Sequence, residues 1–139
     1  MGYNTEGSKT NFEMVEEFHR KFNSPAGILP QIIPEYRHDL RESLVAEEFD
    51  ELINAMDDRD LVAIAKEACD LLVVVYGTLV EYGINADDVF EMVHKSNMSK
   101  LGADGKPIYR EDGKILKGPN YFKAEPEIEK YLKKRGAVL

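Results

Sequence analysis

Cysteine is almost absent: Cys69 stands alone in the chain, which excludes an intrachain disulfide and any zinc motif built on paired cysteines. Without a partner it reads as a packing residue. Long apolar runs are missing too. The longest, LLVVVYGTLV from Leu71 to Val80, is too short to span a bilayer. The opening MGYNTEGSKT is polar and carries no apolar signal segment. The expectation is a protein of the cytosol with no membrane partner. Neither a GxxxxGK[ST] loop nor a GxGxxG pattern occurs, so the P-loop and Rossmann nucleotide folds are unsupported. There is no internal repeat and no low-complexity segment.

Basic charge is scarce as well. The chain has 18 Lys+Arg against 26 Asp+Glu, a net charge of −8, and this disfavours nucleic acid as a partner because the phosphate backbone is held largely by Lys and Arg. The imbalance is local. Up to Val93 there are 7 Lys+Arg against 20 Asp+Glu, while His94 to Leu139 has 11 against 6. Either the two parts attract each other in the fold, or one part holds cations and the other phosphates.

The remainder is that of an ordinary globular chain: 139 residues, 43% hydrophobic and 32% charged, enough for a single domain over 1–139 with a core of ordinary size. Thr10 followed by Glu13 has the form of a capping box, and Phe12, Val15, Phe18, His19 and Phe22 recur at helical spacing after it. NSPAGILPQIIP carries Pro25, Pro30 and Pro34 and predicts an extended connection. A second helix is predicted from about Glu35 to Met56, with Leu40, Leu44, Val45, Phe49, Leu52 and Met56 on its apolar side. Asp60 caps a third helix reaching Tyr82 and stopped by Gly83. Asn85 caps a fourth from about Ala86 to Ser99, with Asp88 in its first turn. Asp104-Gly105 and Asp112-Gly113 flank PIYR and predict a small hairpin or ordered loop. Pro126 opens a short charged last helix. The fold class is all-α, an antiparallel helical bundle with a short C-terminal hairpin or loop extension.

The second helix packs Glu47, Glu48, Asp50 and Glu51 into five residues. Like-charged pairs at helical spacing cost roughly 0.2–0.5 kcal/mol each, so the face is either well solvated or compensated. At about 100° per residue, Glu47, Glu48 and Glu51 share the side of Leu40 and Leu44 and so border the core. The third helix is apolar on nearly every side, and its only acids before Glu81 are Glu67 and Asp70, three apart on one face with Ala63 and Val74. Carboxylates in apolar surface are costly unless protonated, paired or bound to a metal. Either Lys66, Glu67 and Asp70 are the one wet edge of this helix, or the antiparallel pair of helices gathers four carboxylates as oxygen ligands for Mg²⁺ or Mn²⁺. No histidine is interleaved, which argues against zinc.

Glu47-Glu48-x-x-Glu51, about fifteen residues of spacer, then Glu67-x-x-Asp70 resembles the EExxE…ExxD signature of the all-α nucleoside triphosphate pyrophosphohydrolases. That superfamily takes in MazG-like proteins, dimeric dUTPases and phosphoribosyl-ATP pyrophosphohydrolases. The resemblance covers about Arg37 to Leu101 and includes SNMSKL. It implies a MazG-like core over about 35–101 with 102–139 as an extension. It implies an enzyme that hydrolyses a nucleoside or deoxynucleoside triphosphate, broad or purine-leaning toward dGTP, to the monophosphate and pyrophosphate. Phosphoribosyl-ATP and dUTP are alternative substrates, and a non-catalytic helical dimerisation module is the alternative of another class.

By the same resemblance Glu48, Glu51, Glu67 and Asp70 hold Mg²⁺ or Mn²⁺. Glu47, Glu48 and Glu51 are the catalytic acids, Glu47 as a further ligand or as a base toward water. Asn97 and Lys100 lie against the nucleotide; their plain alternative is a helix C-cap and a cation favoured by the helix dipole. His94 reads as a ring packed along the same helix. Arg110, Lys114, Lys117 and Tyr121 belong to a DGK-containing extension that closes over the nucleotide or meets another subunit. The resemblance further implies a homodimer or a tetramer made of dimers, which suits a third helix too apolar for one small subunit to cover.

Overall fold

The computed structural model describes residues 7–139. Among these residues there are five helices and no strand: α1 (Asn11–Lys21), α2 (Glu35–Asp57), α3 (Leu61–Glu81), α4 (Ala86–Met98) and α5 (Glu125–Lys134). The chain divides into two compact units, the first ending at Ala86 and the second running from Asp87 to Leu139.

In the first unit the capping box forms as the sequence predicts. Thr10 Oγ1 accepts from the Glu13 amide and the Glu13 carboxylate accepts from the Thr10 amide, each at 3.1 Å, satisfying two donors that the helix start leaves open. Phe12 and Val15 of α1 bury against Val80 and Ala86, with Ala26, Tyr76 and Leu79 packed around them. Each such apolar side chain taken fully out of water stabilises by roughly 1.5–3 kcal/mol. The third predicted inward residue, His19, is buried and donates from Nδ1 to the Pro25 carbonyl at 2.9 Å. Phe18 and Phe22 stack on each other and stay exposed.

The proline-rich stretch is extended because it serves the end of α3. Gly27 and Gln31 donate their amides to the carbonyls of Val80 and Tyr82, which a helix C-terminus otherwise leaves to solvent. Gly83 ends the helix with φ +71, and a Cβ there would sit 2.2 Å from the Leu29 carbonyl oxygen. Only glycine tolerates both conditions.

Helices α2 and α3 are antiparallel, joined by a turn in which Arg59 adopts φ 55. Their register is set by ions. Glu81, with a side chain 1% exposed, accepts from Arg37 Nε at Oε1 (2.8 Å) and from Nη2 at Oε2 (2.9 Å), and Arg41 Nη1 lies 3.1 Å from the same Oε2. Arg41 also donates to the Val74 carbonyl at 2.8 Å and to Thr78 Oγ1 at 3.2 Å. Burial pushes the Arg41 guanidinium down from its ordinary value, whereas the hydrogen bonds from Glu81 hold that of Arg37 up. Gly77 makes room: a Cβ there would lie 2.6 Å from Arg41 Nη2 and 2.7 Å from His19 Nε2. The apolar side expected for α2 is corrected here. Its buried residues are Arg41 and Ala55; Leu44, Val45 and Leu52 are half-buried beside them, while Leu40, Phe49 and Met56 are exposed. Cys69 is likewise exposed, not a packing residue.

In the second unit the two Asp-Gly turns form with glycine φ of 76 and 87. The hairpin is a single antiparallel bridge between Tyr109 and Ile115. Helix α5 is tied to α4 by Tyr131 Oη, which donates to Asp88 at 2.5 Å; burial first, and the Asp88 carboxylate second, push the Tyr131 hydroxyl up to about 12. His94, expected to pack along α4, is exposed instead.

Replacing Glu81 by Gln leaves two guanidiniums facing each other without a countercharge. The expected loss is about 3–5 kcal/mol in urea unfolding, and a loss under about 1 kcal/mol would show that the register does not depend on this cluster.

Candidate metal centre and phosphate-binding segment

Two helical turns beyond Arg41, about 10 Å along α2, the same antiparallel register brings Glu48 opposite Asp70 and Glu67. One carboxylate oxygen from each of these three residues lies within 4.8 Å of the other two, a spread that a cation with oxygen ligands at about 2.0–2.6 Å spans. Glu48 Oε2 and Glu67 Oε2 are buried and have no hydrogen-bond partner. Orphaned anionic oxygens of this kind are costly in a folded protein. A divalent cation removes that cost, and an all-carboxylate donor set suits a hard ion such as Mg²⁺ or Mn²⁺.

The neighbours of the triad offset only part of its charge. Lys66 Nζ lies 2.5 Å from Asp70 Oδ2 and 3.7 Å from Glu67 Oε1, and Asp70 holds the ammonium above its ordinary value. Burial holds the Glu67 carboxyl above the usual carboxylate range, reinforced by a hydrogen bond with the Glu51 carboxyl. Two carboxyl groups share a hydrogen bond only when one carries a proton. Glu51 thus reaches Glu67 from an exposed position one turn along α2 from Glu48, while Glu47 is exposed and contributes no oxygen to the triad.

The basic set lies in the second unit. Lys100 Nζ donates to Asn97 Oδ1 at 3.0 Å. The segment 117–122 returns to the end of α4, where the Gly118 amide donates to the Lys100 carbonyl at 2.8 Å. That segment carries Lys117, whose ammonium stands 4.8 Å from the centre of the Tyr121 ring. Asn97, Lys100, Lys117 and Tyr121 therefore belong to one hydrogen-bonded substructure. Arg110 and Lys114 lie instead across the Asp112-Gly113 turn. There Asp112 accepts from Arg110 Nε at 2.9 Å and from the Lys114 amide at 3.1 Å, and its carboxylate holds the Arg110 guanidinium above its ordinary value.

Sequence reasoning missed the Arg37–Arg41–Glu81 cluster. The available signal was Glu81 itself, an acid closing an otherwise apolar helix eleven residues, three turns, after Asp70 on the same face.

The model of the phosphoribosyl-ATP pyrophosphohydrolase family matches residues 15–97, more than half of the chain. The chain belongs to this family. The match takes in α2, α3 and Asn97 and stops short of Lys100 and the extension. The fold agrees: a crystal structure of a "putative NTP pyrophosphohydrolase" from Exiguobacterium sp. 255-15 superposes with a TM-score of 0.53 at 26% identity, over 91% of this chain and 96% of that one. An uncharacterized protein of Acanthamoeba polyphaga mimivirus is 31% identical over 117 residues, 78% of this chain. The match spans only 42% of the viral protein's length. The described residues of this chain are all-α, as the sequence predicts, and no helix among them is long and apolar enough to cross a membrane.

A cation bound by the triad requires the ionised Glu67, whereas in the protein alone burial, and the Glu51 carboxyl after it, hold its carboxyl above the usual carboxylate range. The raised carboxyl contributes stability below the ordinary glutamate range, and this is lost as pH rises through the raised value. Added Mg²⁺ or Mn²⁺ is expected to raise Tm, by about 2.7 kcal/mol of stabilisation at one hundred times Kd, and the rise should shrink as pH falls through that window. Glu67→Gln should keep the metal-free Tm or raise it and lose the cation-induced rise. An unchanged rise in this variant, read by calorimetry, would remove Glu67 from the centre.

Proposed function

We propose that this chain hydrolyses a nucleoside or deoxynucleoside triphosphate to the monophosphate and pyrophosphate in the cytosol, with Mg²⁺ first and Mn²⁺ second as the cation. The observation that carries the reading is the triad of Glu48, Glu67 and Asp70 with its two buried, unpartnered oxygens, in a chain of a pyrophosphohydrolase family. Glu48, Glu51, Glu67 and Asp70 hold the cation. A cation held there would offset the phosphate charge and make a bound water a better nucleophile. Glu47, exposed and outside the triad, suits the role of base toward the attacking water better than that of a ligand. Asn97, Lys100 and Lys117 supply donors to the phosphates, and Tyr121 offers a ring face to the nucleoside. Arg110 and Lys114 are assigned the outer edge of the substrate, Arg110 after release from Asp112. The single domain keeps 35–101 as its core and 102–139 as its extension.

Among substrates, a purine-leaning, dGTP-like nucleotide is the first reading. The name of the matching family favours phosphoribosyl-ATP as the second, with dUTP after it; rescue of a histidine auxotroph separates the former and a strong dUTP preference the latter. The deciding assay is pyrophosphate release from canonical NTPs and dNTPs, dUTP and phosphoribosyl-ATP, with Mg²⁺, Mn²⁺ or EDTA. Release is expected with a divalent cation and not with EDTA, and Glu51→Gln or Asp70→Asn is expected to abolish it while helical circular dichroism is retained. Full activity in both variants, or silence across the panel, rejects the assignment. Silence together with a Tm indifferent to the cations would instead favour the non-catalytic module.

The same reading includes a homodimer or a tetramer of dimers. Phe18, Phe22, Leu72 and Val73 are 49%, 70%, 49% and 42% exposed, and a second copy is the cover that an oligomeric family member would supply. The native mass in solution should be at least twice 15.8 kDa; an active, monodisperse monomer in light scattering would refute it.

A further inference from the structure

Within SNMSK, the residues assigned to substrate alternate with two serines that the proposed function leaves unused. Ser96 is 6% exposed and donates from Oγ to the Phe122 carbonyl at 2.8 Å. Ser99 accepts the Phe122 amide at 3.1 Å and donates to the Ser96 carbonyl at 2.6 Å. Both polar groups of one backbone residue, more than twenty positions downstream, are thus held by two hydroxyls three apart on α4 and its terminal turn. A helix C-terminus is ordinarily closed by backbone donors just beyond it, and this end needs no such distant pair to be capped. A third bond, from the Gly118 amide to the Lys100 carbonyl, fixes the other end of the same segment. A Cβ on Gly118 would fall 2.1 Å from the Leu101 carbonyl oxygen, so only glycine permits this approach. Tyr121 lies between the two anchors, and Lys117 directly precedes the Gly118 anchor.

We propose that Ser96 and Ser99 are positioning residues that latch segment 117–122 to the end of α4, holding Lys117 in a fixed place relative to Asn97 and Lys100 for binding a pyrophosphate group. The inference rests on the phosphate-binding role assigned above to those three side chains. The bonds to the N–H and the C=O of Phe122, in the two peptide units flanking its Cα, fix the segment against both sliding and rotation, whereas one would leave it free to pivot. Preorganised donors lose less freedom on binding than mobile ones, so the latch acts on affinity for phosphate and not on the cation held by α2 and α3.

The test is calorimetric binding of inorganic pyrophosphate in Mg²⁺ to the full chain and to Ser96→Ala, Ser99→Ala and Ser99→Thr. The two alanine variants should bind at least tenfold more weakly, while their cation-induced rise in Tm stays that of the unchanged protein. Ser99→Thr, which keeps the hydroxyl, should recover most of the affinity. Alanine variants that bind pyrophosphate as tightly as the unchanged chain, with only a lowered Tm, would reduce the serines to structural groups and overturn the proposal. Failure of Ser99→Thr to bind better than Ser99→Ala, or absence of pyrophosphate binding by the unchanged chain, would overturn it as well. Should the unchanged chain bind pyrophosphate through the latch yet release none from any nucleotide, the latch stands and the hydrolytic reading falls.

Discussion

The contact between Glu81 and the two arginines of α2 is the constraint on which the first unit depends. A carboxylate 1% exposed cannot remain ionised without a countercharge, and Arg37 and Arg41 supply one from successive turns of the facing helix. Once these bonds are made, α2 cannot slide along α3 without breaking them. The pairing then runs down the helices: Arg37 with Glu81, Arg41 with Thr78 and Val74, Glu48 with Asp70 and Glu67, Glu51 with Glu67. Small residues serve the same end, since Gly77 admits the Arg41 guanidinium and the His19 ring where any side chain would collide.

The two charged clusters along this stripe differ in completeness, and the difference separates structure from chemistry. Around Glu81 both carboxylate oxygens and several guanidinium donors have partners within 3.2 Å. Around Glu48 and Glu67 two buried oxygens have none, and a single exposed lysine faces several acids. A satisfied cluster stabilises one register, while the unsatisfied one is held in place by the first and keeps oxygens that a cation would suit. The cost of the open centre is therefore met by the closed one.

The second unit follows a different principle. It has little regular structure beyond α4 and α5, and its segments are fixed by turns and by hydroxyls that reach backbone groups. Asp104 and Asp112 each accept an amide two residues on, closing tight loops around left-handed glycines. Ser96 and Ser99 bind Phe122. Such a framework places cations on short loops with little apolar burial, which accords with the excess of lysine and arginine after His94.

By itself the sequence determined the five helices nearly to the residue, since their signals are local: the capping box at Thr10, the Asp60 cap, the left-handed Gly83, the prolines of 25–34 and Pro126 act within a turn or two of where they stand. Helical period and a short connection between antiparallel helices also directed Glu48 and Glu51 toward Glu67 and Asp70, and the structure groups three of the four, Glu48, Glu67 and Asp70. What only the tertiary structure decided depends on partners far apart in the chain. Hydropathy counts a buried arginine as exposed, so the inward face of α2 centred on Arg41 and Ala55 was not legible, and Leu40, Phe49 and Met56 lie exposed off it. Exposure of Cys69 and His94 followed from which faces of α3 and α4 other elements cover, a property that neither helix carries in its own residues. The joining of Lys117 and Tyr121 to the end of α4 with Asn97 and Lys100 was settled by the Ser96, Ser99 and Gly118 bonds to a segment some twenty residues away, and no local rule encodes a bond of that reach.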